Sequence, residues 1–174
     1  MTEALSVGRE HAHTRVLVAL YASDAEWAVG SPERAQSLTE EIVALSSELG
    51  FPFWLGLGMI FQGGSLTSIA RAGEGLALLT KALAAVRATG AAIYTPLALL
   101  FIAEAQAKLG RSHEGLNCLD EAAQIMERTD ERKDEAEMHR LRGYFAECDR
   151  QSSRCRAQLS TGGHHRSASV RENL

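Results

Sequence analysis

Aliphatic side chains recur at spacings of three and four residues in three separate segments of the chain. The clearest run extends from Ala35 to Leu49, with acidic residues such as Glu40 and Glu48 between the aliphatic positions. This spacing places the aliphatic residues on one face of a helix. The same spacing recurs over residues 76–86 and 116–126. The pattern therefore predicts three amphipathic helices, each with one face to bury.

Two segments between these helices are apolar around their whole circumference. They span about residues 53–70 and 95–109, and neither has a polar face. A helix without a polar face is expected to be buried on several sides. No segment shows the apolar-polar alternation, bounded by turn residues, that is typical of a half-buried strand. The chain is therefore predicted to be all-α, with the apolar helices inside and the amphipathic helices outside.

Proline and glycine mark the expected ends of these helices. Proline is tolerated in the first turn of a helix, and all three prolines stand at an expected helix start: Pro32, Pro52 and Pro96. Glycine adopts the left-handed conformation that ends many helices, and three glycines stand at an expected helix end: Gly50, Gly90 and Gly110. The positions of proline and glycine and the hydrophobic pattern predict the same helix boundaries.

The sequence also repeats with a period of 40 residues. Shifted by this amount, Gly50 aligns with Gly90, Leu57 with Leu97, Phe61 with Phe101, and Glu74-Gly75-Leu76 with Glu114-Gly115-Leu116. A fixed period of this size is typical of a two-helix unit that stacks on copies of itself and buries its apolar face between them. We expect an N-terminal extension at 1–11, helical repeats over 12–149 and a disordered tail at 150–174. The repeats divide into pairs at 12–49, 52–89 and 94–129 and a partial unit at 133–149.

Size and charge exclude several classes of partner. The 174 residues suit one domain, and a formal net charge of −4 provides no positive field for nucleic acid or an anionic membrane. The longest apolar stretch, residues 91–103, is shorter than the roughly 20 residues of a membrane-spanning helix. The three cysteines lack metal-binding spacing, and the first residues lack the layout of a secretory signal. We therefore expect a cytoplasmic protein that binds neither nucleic acid nor membrane.

The third unit resembles a tetratricopeptide repeat in its pattern of small residues and turns. The residues that carry the likeness are Ala103, Leu109-Gly110, Glu114-Gly115, Leu119 and Ala122, with Gly63, Gly75, Ala82 and Gly143 at matching small positions elsewhere. This resemblance implies a right-handed α-α superhelix, a tetratricopeptide-like solenoid of about seven helices. The period of 40 residues departs from the usual value of about 34, which implies longer helices or looser loops.

Longer phrases resemble the C-terminal repeat region of bacterial class III adenylate/guanylate cyclase-like proteins that carry a predicted ATPase module. The phrases lie at 44–55, 83–91, 103–105 and 135–143, and the likeness covers about residues 15–143. In that family the cyclase and nucleotide-binding modules precede the repeats, and neither module is present here. The resemblance therefore implies a regulatory segment in signal transduction and does not carry the family's catalytic activity to this chain.

Candidate chemistry along the chain has simpler structural interpretations. The G-x-G at Gly56 and Gly58 lies in an apolar helix without a following Gly-Lys-Ser/Thr, so close helix packing explains it better than phosphate binding. His11 and His13 point to opposite sides of a helix and cannot share one metal ion. Adjacent carboxylates such as Glu40 and Glu41 diverge on a helix instead of converging for acid/base catalysis. We expect no catalytic residues, no cofactor and no metal site.

Binding is the remaining function, because stacked hairpins create a concave groove lined by the first helix of each pair. The repeat register predicts nine groove residues: Leu57, Ile60, Leu97, Leu100, Glu104, Lys108, Glu137, Arg140 and Tyr144. For the aliphatic members, packing between adjacent repeats is the alternative. The leading hypothesis is a non-catalytic module that docks a protein or peptide in this groove. Two rivals remain: an enzyme or nucleotide-responsive site in the groove, and an incomplete fragment that self-associates through an uncapped C-terminal end.

Overall fold

A computed structural model describes residues 2–150, with the side chains of 11–26, 29–31 and 33–147. This part of the chain folds into seven α-helices and contains no strand, which confirms the all-α prediction. The helices are α1 (Thr2–Ala28), α2 (Pro32–Leu49), α3 (Pro52–Ser68), α4 (Ala72–Ala88), α5 (Thr95–Lys108), α6 (Ser112–Thr129) and α7 (Glu135–Arg150). The predicted pairs and the partial unit coincide with α1–α2, α3–α4, α5–α6 and α7.

Two boundary predictions need correction. The expected extension at 1–11 is not separate from the repeats, because α1 is continuous from Thr2 to Ala28. At the other end, Arg150 is the last residue of α7, and residues 151–174 of the predicted tail lie outside the described residues.

The predicted helix ends are confirmed. Both α2 and α3 begin at a proline, and α5 has proline in its first turn. Gly50 ends α2 in the left-handed conformation, with φ of 66°, and the Phe51 N–H donates to the carbonyl of Ser46 at 2.9 Å. Only glycine adopts this φ without a steric penalty, so residue 50 turns the chain from α2 into α3.

The helices pack in chain order. Each helix packs against the next one along the chain, and the odd-numbered helices also pack on one another: α1 on α3, α3 on α5, and α5 on α7. The odd-numbered helices therefore form one layer, and the even-numbered helices pack against it. Burial follows this arrangement, since every residue from Thr95 to Ala103 of α5 is buried. The prediction that this apolar helix lies inside is confirmed.

Glycine permits the close approach of α3 to its neighbours. A Cβ atom at Gly63 would lie 2.6 Å from Leu79 Cγ of α4, and one at Gly58 would lie 2.7 Å from Ile42 Cγ2 of α2. Both separations are too short for carbon atoms in contact, so these positions exclude a larger residue. The prediction that the glycines of this segment serve helix packing, and not phosphate binding, fits these distances.

The last helix has a buried face and a polar face. Met138, Leu141 and Phe145 are buried in the core, whereas His139 and Gly143 are exposed. No large apolar side chain of residues 135–147 is among the exposed hydrophobic side chains. The expectation of an exposed apolar end at α7 is therefore wrong for the described residues, because α5 and α6 already cover its apolar side.

One further property follows from helix length and composition. Within residues 2–150, no helix combines the length and the apolar character that crossing a bilayer requires.

Candidate binding surface

The four aliphatic residues predicted for the groove do not form a surface. Leu57 and Ile60 are 0% exposed, Leu97 is 5% exposed and Leu100 is 1% exposed. They belong to the common hydrophobic core, and no partner can reach them without unfolding part of the layer. This corrects the groove assignment, and the alternative of packing between repeats describes these four residues. The reason is that α3 is enclosed by α1, α2, α4 and α5, and α5 is enclosed by α3, α4, α6 and α7.

Glu104 and Lys108 form a nearly buried ion pair near the C-terminal end of α5. Lys108 Nζ lies 3.2 Å from Glu104 Oε1, and the two side chains are only 12% and 13% exposed. Lys108 Nζ also donates a hydrogen bond of 2.9 Å to the carbonyl oxygen of Thr67, in the last turn of α3. A cation stabilises the negative end of a helix dipole. Lys108 therefore joins the end of α3 to α5, which is primarily a structural role.

Glu137 and Arg140 form a second pair, one helix further along. The Arg140 guanidinium donates two hydrogen bonds to the Glu137 carboxylate, of 2.8 Å from Nε and 2.7 Å from Nη2. This hydrogen bonding is the main cause that raises the pKa of Arg140. Burial lowers that pKa, and the negative charges of Glu137 and Glu104 raise it further. Glu104 lies on α5 and Arg140 on α7, two helices that are in contact.

The predicted polar residues therefore form an internally neutral strip across α3, α5 and α7. Tyr144, the ninth predicted residue, is half-buried, and its ring centroid lies 5.9 Å from that of Phe145. Two cations and two anions satisfy each other in this strip, and only Arg140, at 47% exposed, reaches solvent among the four. The strip therefore contributes mainly to packing between the odd-numbered helices, and few of its charged groups are available to a partner.

A second cluster of the same layer, which the sequence did not single out, surrounds Tyr94. Tyr94 precedes α5 in the left-handed conformation, with φ of 64°, and its ring centroid lies 6.1 Å from that of Phe61. Lys133 Nζ lies 4.5 Å from the centroid of the Tyr94 ring, within the range of a cation-π interaction. The connections α4–α5 and α6–α7 therefore meet at this ring.

Four ionisable groups lie near enough to Tyr94 to affect its pKa. Burial is the largest cause that raises the pKa of Tyr94, and the charges of Tyr21, Asp24, Asp134 and Glu131 raise it further. Two of these groups come from α1 and two from the α6–α7 connection. Together with Lys133 they make the cluster that we call the Tyr94 cluster.

Two carboxylate oxygens of the Tyr94 cluster are buried and accept no hydrogen bond from the described residues: Glu131 Oε1 and Asp134 Oδ2. Lys133 Nζ lies 3.1 Å from Asp134 Oδ2 as an ion pair, but the orientation is not that of a hydrogen bond. Beside the cluster, α1 exposes two large apolar side chains, Val18 at 61% and Tyr21 at 62%. The cluster thus combines one buried acidic oxygen without a donor among the described residues, Glu131 Oε1, with accessible apolar surface.

The repeat register contained a signal for this cluster. Tyr94 and Asp134 are one period of 40 residues apart, and Asp24 stands two periods before Glu104, which was predicted to line the groove. The predicted groove residues lie on α3, α5 and α7, so residues of α1 and of the loops are absent from that prediction.

Two further findings limit the chemistry of the site. In the part of the chain that the structure describes, no three His, Cys, Asp or Glu side chains are grouped so that they could hold a metal ion. Comparisons of the chain with protein-family models, with curated proteins and with solved structures give no match.

Proposed function

We propose that this protein is a non-catalytic, tetratricopeptide-like module for protein–protein interaction, and that it binds a basic amphipathic segment of a partner at the Tyr94 cluster. The observation that carries the proposal is the buried carboxylate oxygen Glu131 Oε1, which accepts no hydrogen bond from any described residue, close to the Asp134 carboxylate, whose Oδ2 lies 3.1 Å from Lys133 Nζ. A buried acceptor without a donor is unfavourable, and a charged one more so. A lysine or arginine side chain from a partner relieves this.

The charge of the cluster defines the partner's chemistry. The carboxylates of Glu131 and Asp134 stand against one ammonium group, of Lys133, so these three side chains carry a net charge of −1 (two negative, one positive). Val18 and Tyr21 add apolar surface on the neighbouring turns of α1. A helix with leucine-type residues on one side and basic residues at its border matches both features.

The biological setting of the proposal rests on the sequence resemblance alone. The likeness to the C-terminal repeats of bacterial cyclase-like proteins, over about residues 15–143, favours a cytoplasmic role in which the module relays contacts within a cyclase/ATPase signalling assembly. In that setting the partner segment belongs to another component of the assembly.

A fluorescence anisotropy titration tests the binding step. The probe is a fluorescein-labelled helical peptide of lysine and leucine, with a glutamate-leucine peptide of the same pattern as its counterpart. We expect saturable binding of the basic peptide only. In the double variant Glu131→Gln, Asp134→Asn the affinity should fall at least about tenfold, a difference of about 1.4 kcal/mol.

A charge-matched control separates the cluster from the overall acidity of the protein. The double variant Glu114→Gln, Glu127→Gln removes the same charge from exposed positions of α6. It should bind the basic peptide within about twofold of the original chain, since exposed charges are largely screened by salt. Equal losses in both double variants, or no binding by the unmodified chain, would contradict the proposal.

A further inference from the structure

A cleft of about 330 Å³ lies where the α4–α5 connection meets α6. Its wall is formed by Arg87 of α4, residues 90–92 of the connection, Thr95 at the start of α5, and Glu121, Gln124 and Arg128 of α6. The volume is at the lower end of the range of small-molecule sites. The cleft shares no residue with the Tyr94 cluster, so its function is independent of the partner binding proposed above.

The charged groups of this cleft leave a positive excess. Arg87 forms an ion pair with Glu121 across the cleft, whereas Arg128 makes no ion pair with any described residue. Two guanidinium groups and one carboxylate give a net charge of +1. Gln124 adds an exposed side-chain amide, which is a further hydrogen-bond donor. Glu121 repels an anion, but it also holds the Arg87 guanidinium at the wall of the cleft.

Thr95 gives the cleft a buried polar group without a partner. The residue is 3% exposed, and its Oγ1 makes no hydrogen bond with any described group. Forty residues earlier, the equivalent position in the repeat is Leu55, so the fold does not require a hydroxyl there. Thr95 is also the first residue of the 14-residue helix α5, whose dipole places partial positive charge there, although the Thr95 N–H already donates to the Ala92 carbonyl and Pro96 has no N–H.

We propose that this cleft binds the phosphate group of a small phosphorylated molecule. Arginine and a hydroxyl are the side-chain donors that suit phosphate oxygens, and here they lie beside a helix N-terminus. A planar carboxylate needs only one guanidinium fork, whereas a tetrahedral phosphate takes donors from several directions. The donors of this cleft come from α4, α5 and α6, which matches phosphate better.

An NMR titration of the full chain, labelled with ¹⁵N, tests the proposal at constant ionic strength. The probes are inorganic phosphate and glycerol 3-phosphate, with glycerol and chloride as blanks. Both phosphates should shift the amide signals of residues 90–95 and 124–128 with a dissociation constant below about 10 mM. Tighter binding of glycerol 3-phosphate than of phosphate identifies an ester as the ligand, and equal affinity identifies the free ion; either result supports the site.

Two variants and one control make the result specific. Arg128→Gln and Thr95→Val should each weaken phosphate binding at least about fivefold, and the exposed position of Arg128 keeps that variant folded. Arg111→Gln removes the same charge from an exposed residue outside the cleft and should leave the affinity unchanged. The proposal is overturned if the cleft amides do not shift, or if Arg128→Gln binds phosphate as tightly as the Arg111→Gln control.

Discussion

Gly64 of α3 lies directly against the ring of Phe101 of α5. A Cβ atom at Gly64 would be 2.8 Å from Phe101 Cε2 and 2.9 Å from Cδ2, well inside van der Waals contact. The same ring meets Phe61, with centroids 6.3 Å apart and the planes at 72°. The two consecutive odd-numbered helices approach this closely because one side contributes only a hydrogen atom. The spacing of the odd-numbered layer therefore depends on residue 64.

Gly64→Ala should destabilise the fold. The methyl group collides with a buried ring, and overpacking of this kind costs about 1–3 kcal/mol. Alanine has a better helix propensity than glycine by about 1 kcal/mol, which offsets part of the loss. We expect a net decrease of up to about 2 kcal/mol in the free energy of unfolding, measured by urea denaturation followed by circular dichroism.

Gly143→Ala is the matched control in α7. A Cβ atom there would meet nothing within 4 Å, although the repeat pattern predicts a close-packed position at this residue. The substitution should raise the free energy of unfolding by about 0.5–1 kcal/mol through helix propensity alone. If both alanine variants changed stability in the same direction, the close approach of Gly64 to Phe101 would not be the determining contact.

Lys108→Met should cost more stability than its position near a helix end suggests. Methionine keeps most of the apolar stem but leaves the Glu104 carboxylate, 13% exposed, without its ion-pair partner and the Thr67 carbonyl without its donor. Breaking a fully buried pair costs about 3–5 kcal/mol, and the remaining exposure reduces this to about 2 kcal/mol. Thermal and urea denaturation at neutral pH give the value.

The control for Lys108→Met is an exposed ion pair at the start of α4. Arg71 donates two hydrogen bonds to Glu74, and both side chains are in solvent. Arg71→Met should therefore leave the unfolding midpoint unchanged within experimental error, since exposed ion pairs contribute little. A larger effect of Arg71→Met than of Lys108→Met would show that burial does not set the strength of these pairs.

Stability should fall at alkaline pH because of Tyr94. Burial first, and then the charges of Tyr21, Asp24, Asp134 and Glu131, raise the pKa of Tyr94 in the folded protein. In the unfolded chain a tyrosine titrates near its ordinary pKa of about 10. Above that pH the unfolded chain loses a proton that the folded protein retains, so the free energy of unfolding decreases as pH rises.

Tyr94→Phe removes this titration and should flatten the pH dependence. Urea denaturation between about pH 9 and pH 11 measures the slope, and absorbance of the phenolate follows the titration directly. The assignment fails if Tyr94→Phe keeps the slope of the unmodified protein.

Phe145→Ala should release α7 from the array before the rest unfolds. Phe145 is 2% exposed, and its ring lies against Gly115 of α6, where a Cβ atom would collide with it. Removing a buried phenylalanine costs about 3–5 kcal/mol. In an array of repeats the loss falls mainly on the nearest units, so amide exchange should accelerate in α7 and much less in α3. His139→Ala, at an exposed position of the same helix, should leave exchange unchanged.

The sequence by itself determined the helices and their order. Periodicity, three prolines and the glycines at 50, 90 and 110 are local signals, and each helix end depends on the conformation of a few residues, so the predicted pairs matched the structure. The interior position of the 95–109 segment was also predictable, because a helix without a polar face must be enclosed.

Only the tertiary structure decided what remains accessible after packing. Leu57 and Leu97 carry the same register as Glu137, yet each of the first two lies on a helix with four neighbouring helices and the third lies at the edge of the layer. The Tyr94 cluster joins residues 70 and more positions apart, from Asp24 to Tyr94 and Asp134. Such groups meet through the stacking of whole helices, and local patterns carry no information on how closely those helices approach.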